Sequence, residues 1–109
     1  MAYSEELADR IRSHIGSNGG VVEKKIFGVF AFMSHGNMAV GVAGDELMVR
    51  VGLEGYDDAI AHPGVRDFDM TGKGMKGWVL VEPQTIAADN DLHGWIDVGM
   101  DFAGTLPPK

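Results

Sequence analysis

Residues 23–51 read EKKIFGVFAFMSHGNMAVGVAGDELMVRV. Short apolar runs alternate there with glycine-marked breaks, which is the pattern of an antiparallel meander. The first run, 23–27, ends at Phe27-Gly28, where glycine permits a bulge or a tight corner. The second, 29–34, puts Phe30 and Phe32 on one face and Val29, Ala31 and Met33 on the other, because side chains alternate along a strand. His35-Gly36 is a two-residue hairpin break before Asn37. The third run, 38–43, sets Met38, Val40 and Val42 against Ala39, Gly41 and Ala43. Gly44-Asp45 turns the chain again, and the fourth run, 46–51, sets Leu47, Val49 and Val51 against Met48 and Arg50. The large aliphatics of the last two runs are expected to face a core. The opposite face is small or mixed rather than charged, so another segment, a second copy of the chain or a ligand is expected to cover it.

Helical patterns flank this meander. Ser4 precedes EELADRIRSHIG and is a good N-cap, with Glu5 and Glu6 suited to the positive end of the helix dipole. Leu7, Ile11 and Ile15 recur at spacing four and make one apolar stripe, and Gly16 ends the helix. After the meander, EGYDDAIAHPG fits a short second helix with Tyr56 and Ile60 one turn apart, stopped by Pro63-Gly64. Residues 65–70 fit a short strand. Residues 71–77, TGKGMKG, form a mildly basic loop, and Trp78-Val79-Leu80-Val81 is a strand suited to the middle of the sheet. Asp89 or Asn90 caps a last helix, in which Leu92, Trp95, Ile96, Gly99, Phe102, Ala103 and Leu106 form the apolar face before Pro107-Pro108. Burial of two aromatic rings from this helix is expected. The class is α+β: two layers, an antiparallel sheet (the meander plus C-terminal strands) covered by N-terminal, middle and C-terminal helices, in one domain over 1–109.

Composition excludes several classes. The 109 residues contain no cysteine, which removes disulfides, thiol catalysis and cysteine-ligated metals. No apolar run approaches the ~20 residues of a membrane helix. The opening MAYSEELADR has neither a basic n-region nor an apolar h-region, so a cytoplasmic location is expected. Sixteen acidic side chains against nine basic ones give a net charge of −7, which disfavours direct nucleic-acid binding unless the basic residues are segregated. Convergence of Arg10, Arg12, Lys24 and Lys25 on one surface would reverse that expectation.

In YSEELADRIR, EKKIFGVFAFMSHGNMAVGV, DELMVRVG, TGKGMKGWVLVEP and the closing LPPK, the chain resembles the TfoX N-terminal domain family. The likeness runs from Tyr3 to about Pro108, in order and at matching spacing, with Ile26 where methionine is common. It implies a two-layer α+β fold, in agreement with the residue patterns. The family takes its name from regulators of natural competence, TfoX/Sxy, in which such a domain is joined to a C-terminal helical domain. This chain, ending at Lys109, resembles a single-domain member. The resemblance implies no catalytic residues and no cofactor. It implies a non-enzymatic regulatory or protein-interaction domain. The alternatives are a nucleic-acid-associated competence regulator and a small-ligand binder using Arg50.

The candidate interaction residues are Lys24, Lys25, Arg50, Met48 and Trp78. Adjacent lysines on a strand point to opposite faces, so at most one can join Arg50, and the pair also suits the guarding of an edge strand. Arg50, mid-strand on the mixed face, is expected to pair with an acidic residue of a covering helix. Met48 with Trp78 and Leu80 would make an apolar patch if their strands pair, and that patch would suit a homodimer or another protein partner. The glycine-lysine loop at 72–77 lacks the spacing and the following helix of a phosphate-binding loop and reads as surface. His14, His35, His62 and His93 are expected to be dispersed, with no helical zinc spacing. Asp89-Asn90-Asp91 reads as a helix cap rather than a calcium loop. No catalytic, cofactor-binding or metal residue is assigned.

Overall fold

The alternating stretch folds as the meander its pattern predicts. In the computed structural model, which describes residues 4–16, 20–26, 29–67 and 77–107, β1 (Val21–Ile26), β2 (Val29–Ser34), β3 (Asn37–Ala43) and β4 (Glu46–Arg50) pair in sequence, each antiparallel to the next. The chain then forms α2 (Gly52–Ile60) and β5 (Val65–Asp67), and returns as β6 (Trp78–Val81) between β4 and β5. One antiparallel sheet of order β1-β2-β3-β4-β6-β5 results. The helices α1 (Glu5–Ile15), α2 and α3 (Asp89–Gly104) cover it, which makes the fold α+β. The Phe27-Gly28 corner, residues 68–70 of the expected fifth strand and most of the loop at 71–77 lie outside the described residues.

The turns follow from local chemistry. His35 and Gly36 both take positive φ, 50° and 86°, which matches the right-handed twist of the flanking strands in a two-residue hairpin. Gly16 (φ 68°) ends α1, and its N–H donates to the Arg12 carbonyl. At the other end the Ser4 hydroxyl accepts from the Leu7 N–H at 3.2 Å. The cap of α3 differs from expectation. Its N-cap is Ala88, without a side-chain bond, and Asp89 is the first helical residue. Asp89 instead meets Arg10 of α1, which also donates to the Ile86 and Ala87 carbonyls. β1 also begins two residues earlier than the apolar run suggested, because Val21 and Val22 continue the ladder opposite Ser34 and Met33.

The core lies between the sheet and the helices. Val40, Val42, Leu47, Val49, Val79 and Val81 are fully buried on the sheet side, and Ile11, Leu92 and Ile96 meet them from α1 and α3. The expectation for the third strand needs one correction. Val40 and Val42 face the helices, but Met38 packs on the opposite face with Val29, Met48 and Leu80. The cause is a β-bulge. Phe32 pairs with Val40 and Met33 with Met38, so Ala39 is an extra residue and the alternation reverses across it. α3 seats Gly99 directly over this bulge, and a Cβ at Gly99 would stand 2.5 Å from the Ala39 carbonyl oxygen. In α3 the fully buried large side chains are Leu92 and Ile96, whereas the expected aromatics Trp95 and Phe102 are half-buried.

The second face of the sheet is apolar and largely closed within the chain. Val29, Met48 and Leu80 form a second buried cluster, with Met38, Ala43 and Trp78 packed against it. Gly41 lies beneath them, where a Cβ would come within 2.9 Å of Val29. A larger residue there would split the cluster, so the small residues on this face are a packing requirement.

Candidate interaction site

The helical layer leaves an open groove between α2 and α3. Its position follows from the chain's exit from β4. Gly52 takes φ 80°, and the N–H groups of Val51 and Gly52 both donate to the Gly77 carbonyl. A side chain at Gly52 would also collide with the Phe102 ring. This junction fixes α2 against β6 with Tyr56 and Ala59 inward. In α3, Leu92, Ile96, Gly99 and Ala103 point inward at helical spacing. The outward flanks of the two helices enclose about 690 Å³, floored by Val51 and Ala59 and walled by Trp95 and Val98. His62 meets the Trp95 ring edge-to-face at 5.4 Å. Asp58 and Asp91 stand on the rims.

Two features set this surface apart. Of the exposed large hydrophobics among the described residues, Leu53 (73 %), Val98 (43 %) and Ile60 (37 %) belong to these two helices and Val22 (61 %) to β1, and of the four Val98 lines the groove. Ile60, one turn from the buried Tyr56, is thus on the outside. The helices also carry seven carboxylates and no lysine or arginine. Asp89 and Asp97 are taken up by Arg10 and His14. Among the described residues, no ion pair engages Glu54, Asp57, Asp58, Asp91 or Asp101.

The residues singled out from the sequence are dispersed over the sheet. Lys24 and Lys25 lie on β1, an edge strand, pointing to opposite faces. Arg50 is three strands away on β4, roughly 14 Å at ordinary strand spacing, so the basic trio does not assemble. Met48 and Arg50 pair directly with Leu80 and Trp78, as the patch reading required, but Met48 is only 1 % exposed. The expected carboxylate partner for Arg50 is absent among the described residues. Its guanidinium instead lies 4.9 Å from the Trp78 ring centroid and 5.4 Å from that of Phe102. The physical reason is position. Arg50 ends β4 beside the aromatic flank of α3, so the ring faces are its nearest electron-rich groups.

Arg10 and Arg12 are also committed within the fold. Arg12 grips Glu23 of β1 with two 2.7 Å hydrogen bonds and touches Asp9. The hydrogen bonds from Arg12 hold the Glu23 carboxyl below its usual range, and the same contact raises the guanidinium pKa. The two arginines needed for a nucleic-acid surface are therefore neutralised. The histidines depart from the expected dispersal. His14 of α1 and His93 of α3 stack at 4.0 Å and 9°, because the two helices pack side by side, and His14 Nε2 lies 2.9 Å from Asp97 Oδ1. They line a polar hollow with Arg10 and Asp89. Among the described residues, no group of three or more His, Asp or Glu side chains is placed to hold a metal ion, and no helix is long and apolar enough to cross a membrane.

These elements define a two-layer α+β domain with an acidic helical surface split by an apolar groove. The chain belongs to the TfoX N-terminal domain family, whose model matches residues 13–103. No curated protein and no solved structure matches it.

Proposed function

We propose that this domain works by binding another protein, as a non-enzymatic regulatory module, rather than by turning over a substrate. The observation that carries this reading is the α2–α3 groove. It joins the exposed Val98 side chain to an apolar concavity lined by Val51, Ala59 and Trp95, the usual mark of an interaction surface. Family membership supports a regulatory role of this kind. Direct nucleic-acid binding is opposed by the charge of −7 and by the ion pairs of Arg10 and Arg12.

The test is affinity capture of the tagged chain from its native lysate, with and without nuclease, followed by crosslinking and mass spectrometry. A partner protein that survives nuclease, at constant stoichiometry, is the expected result. Partners that all vanish with nuclease, or recovery of the bait alone, would refute the reading.

A further inference from the structure

We infer that the α2–α3 groove receives a basic amphipathic helix from the partner protein, a claim that rests on the interaction reading above. The shape favours a helix. Asp91, Trp95 and Val98 lie at i, i+4 and i+7 along α3, about 10 Å of helix. Two turns of a partner helix, with apolar anchors at the same spacing, match that length. The lining comes from α2, α3, the turn at His62-Pro63 and Thr85 and includes no residue of a strand, so the groove offers no strand edge on which an extended peptide could pair.

The charge selects the partner's polar flanks. Glu54, Asp57, Asp58, Asp91 and Asp101 are exposed and unpaired among the described residues, and neither helix carries a compensating cation. Of these, Asp58 and Asp91 line the groove, where lysines or arginines flanking the apolar stripe would meet them, and the acidic surface as a whole would repel a nucleic acid or acidic segment. A second copy docked face to face would bring the same carboxylates together, so an isologous dimer through this surface is disfavoured.

The glycines give an independent indication. Gly99 of α3 is required by the Ala39 carbonyl, and Gly104 is the helix's last residue. Gly94, nearly three turns from that end and lining the groove, has nothing within 4 Å of an added Cβ. On the facing helix Gly55 meets only Val51, at 3.6 Å. Neither position is needed for packing, and glycine weakens a helix interior. What their bare backbones do provide is an open groove.

The probe is a leucine-lysine peptide of about 14 residues, roughly four turns, with leucines at helical spacing. It is compared with its glutamate-for-lysine counterpart and with a permuted peptide of the same composition. Titrations on the full chain are followed by amide NMR shifts. Saturable one-to-one binding of the lysine peptide alone is expected, with shifts centred on Gly55, Ala59, Gly94 and Val98. Gly94→Leu should fill the groove and weaken binding by about tenfold or more, as loss of a central contact does, while Tm is unchanged or higher. Asp58→Lys with Asp91→Lys should transfer preference to the glutamate peptide, and Glu5→Lys with Glu6→Lys on α1 should leave binding unchanged. Equal binding of the permuted peptide, equal loss in the α1 variant, or undiminished binding in Gly94→Leu would each overturn the inference. Were lysate capture to yield a partner crosslinked to β1 or to the Arg50 region instead, the groove would be refuted and the interaction reading would stand.

Discussion

Gly99→Ala and Gly94→Ala are the same substitution in the same helix, and the structure gives them opposite signs. In an unconstrained helix interior, replacing glycine by alanine gains about 1 kcal/mol. At Gly94 nothing lies within 4 Å of the new Cβ, so most of that gain should be realised, about 0.5–1 kcal/mol. At Gly99 the Cβ would stand 2.5 Å from the Ala39 oxygen, 2.7 Å from Val40 Cγ1 and 3.1 Å from the Ala39 carbonyl carbon. Comfortable separations are about 3.5–4.0 Å between carbons, so α3 or the bulge must retreat by several tenths of an ångström. The bulge is held by β2, and α3 by Leu92, Ile96 and Ala103 on either side of Gly99, so retreat opens voids around buried side chains. Overpacking of this kind typically costs about 1–3 kcal/mol. Set against the propensity gain, Gly99→Ala should still be destabilised by about 1 kcal/mol, some 4 °C or more in Tm. Urea and thermal unfolding followed by circular dichroism, with m-values compared, measure both variants on one scale. A Gly99→Ala chain as stable as the parent would refute the close seating of α3 on the bulge.

Three further outcomes follow from named contacts. Ile96→Ala, at a fully buried core position beneath α3, should cost about 2–5 kcal/mol; an unchanged urea midpoint would contradict the burial. Glu23→Gln should cost about 0.5–1 kcal/mol at neutral pH, the modest worth of a partly exposed pair. Because the Glu23 pKa is depressed in the fold, its contribution is complete above the ordinary carboxylate range and is lost as pH falls through the folded value. The parent and variant stability curves should therefore converge in acid, and a gap that persists below that range would show that the carboxylate is not the source. Arg50→Gln removes a cation from two ring faces and should cost about 1 kcal/mol while shifting Trp78 emission. The cost should be independent of salt up to moderate ionic strength, and a strongly salt-dependent cost would point to an unseen carboxylate partner.

The meander was legible because period-two alternation and glycine breaks are local signals, and Leu47, Val49, Val40 and Val42 obey them. The reversal at Ala39 was not legible. A bulge in a run of small and β-branched residues leaves no local mark, since MAVGVA reads as plain alternation in either register. Its signature is distant, in the glycine of α3 that must pass over it. The place of β6 between β4 and β5 was likewise only half legible. Three aliphatics in four residues mark an internal strand, but which neighbours it takes depends on pairing across the sheet.

The candidate site was harder to read for a related reason. Strand logic drew attention to Lys24, Lys25, Arg50, Met48 and Trp78, which are conspicuous one by one. Three-dimensional packing then spends Met48 in a buried cluster and Arg50 against two rings, and leaves the lysines at an edge. The groove residues are individually ordinary: Ala59, Gly55, Gly94 and Val98 come from two helices with 28 residues of chain between them, 61–88. A trace was nevertheless present. A segment reading EGYDDAI and another reading DNDLHGWIDVGMDFAG contain seven acids and no lysine or arginine. An ordinary solvated helix interleaves the two signs, because opposite charges three or four residues apart stabilise it and like charges weaken it. Two neighbouring helices that both forgo that stabilisation, and both carry unneeded glycine on the shared groove, depart from local preference in the same direction. Departures from local consistency tend to gather where function is located, and here they gather on one surface.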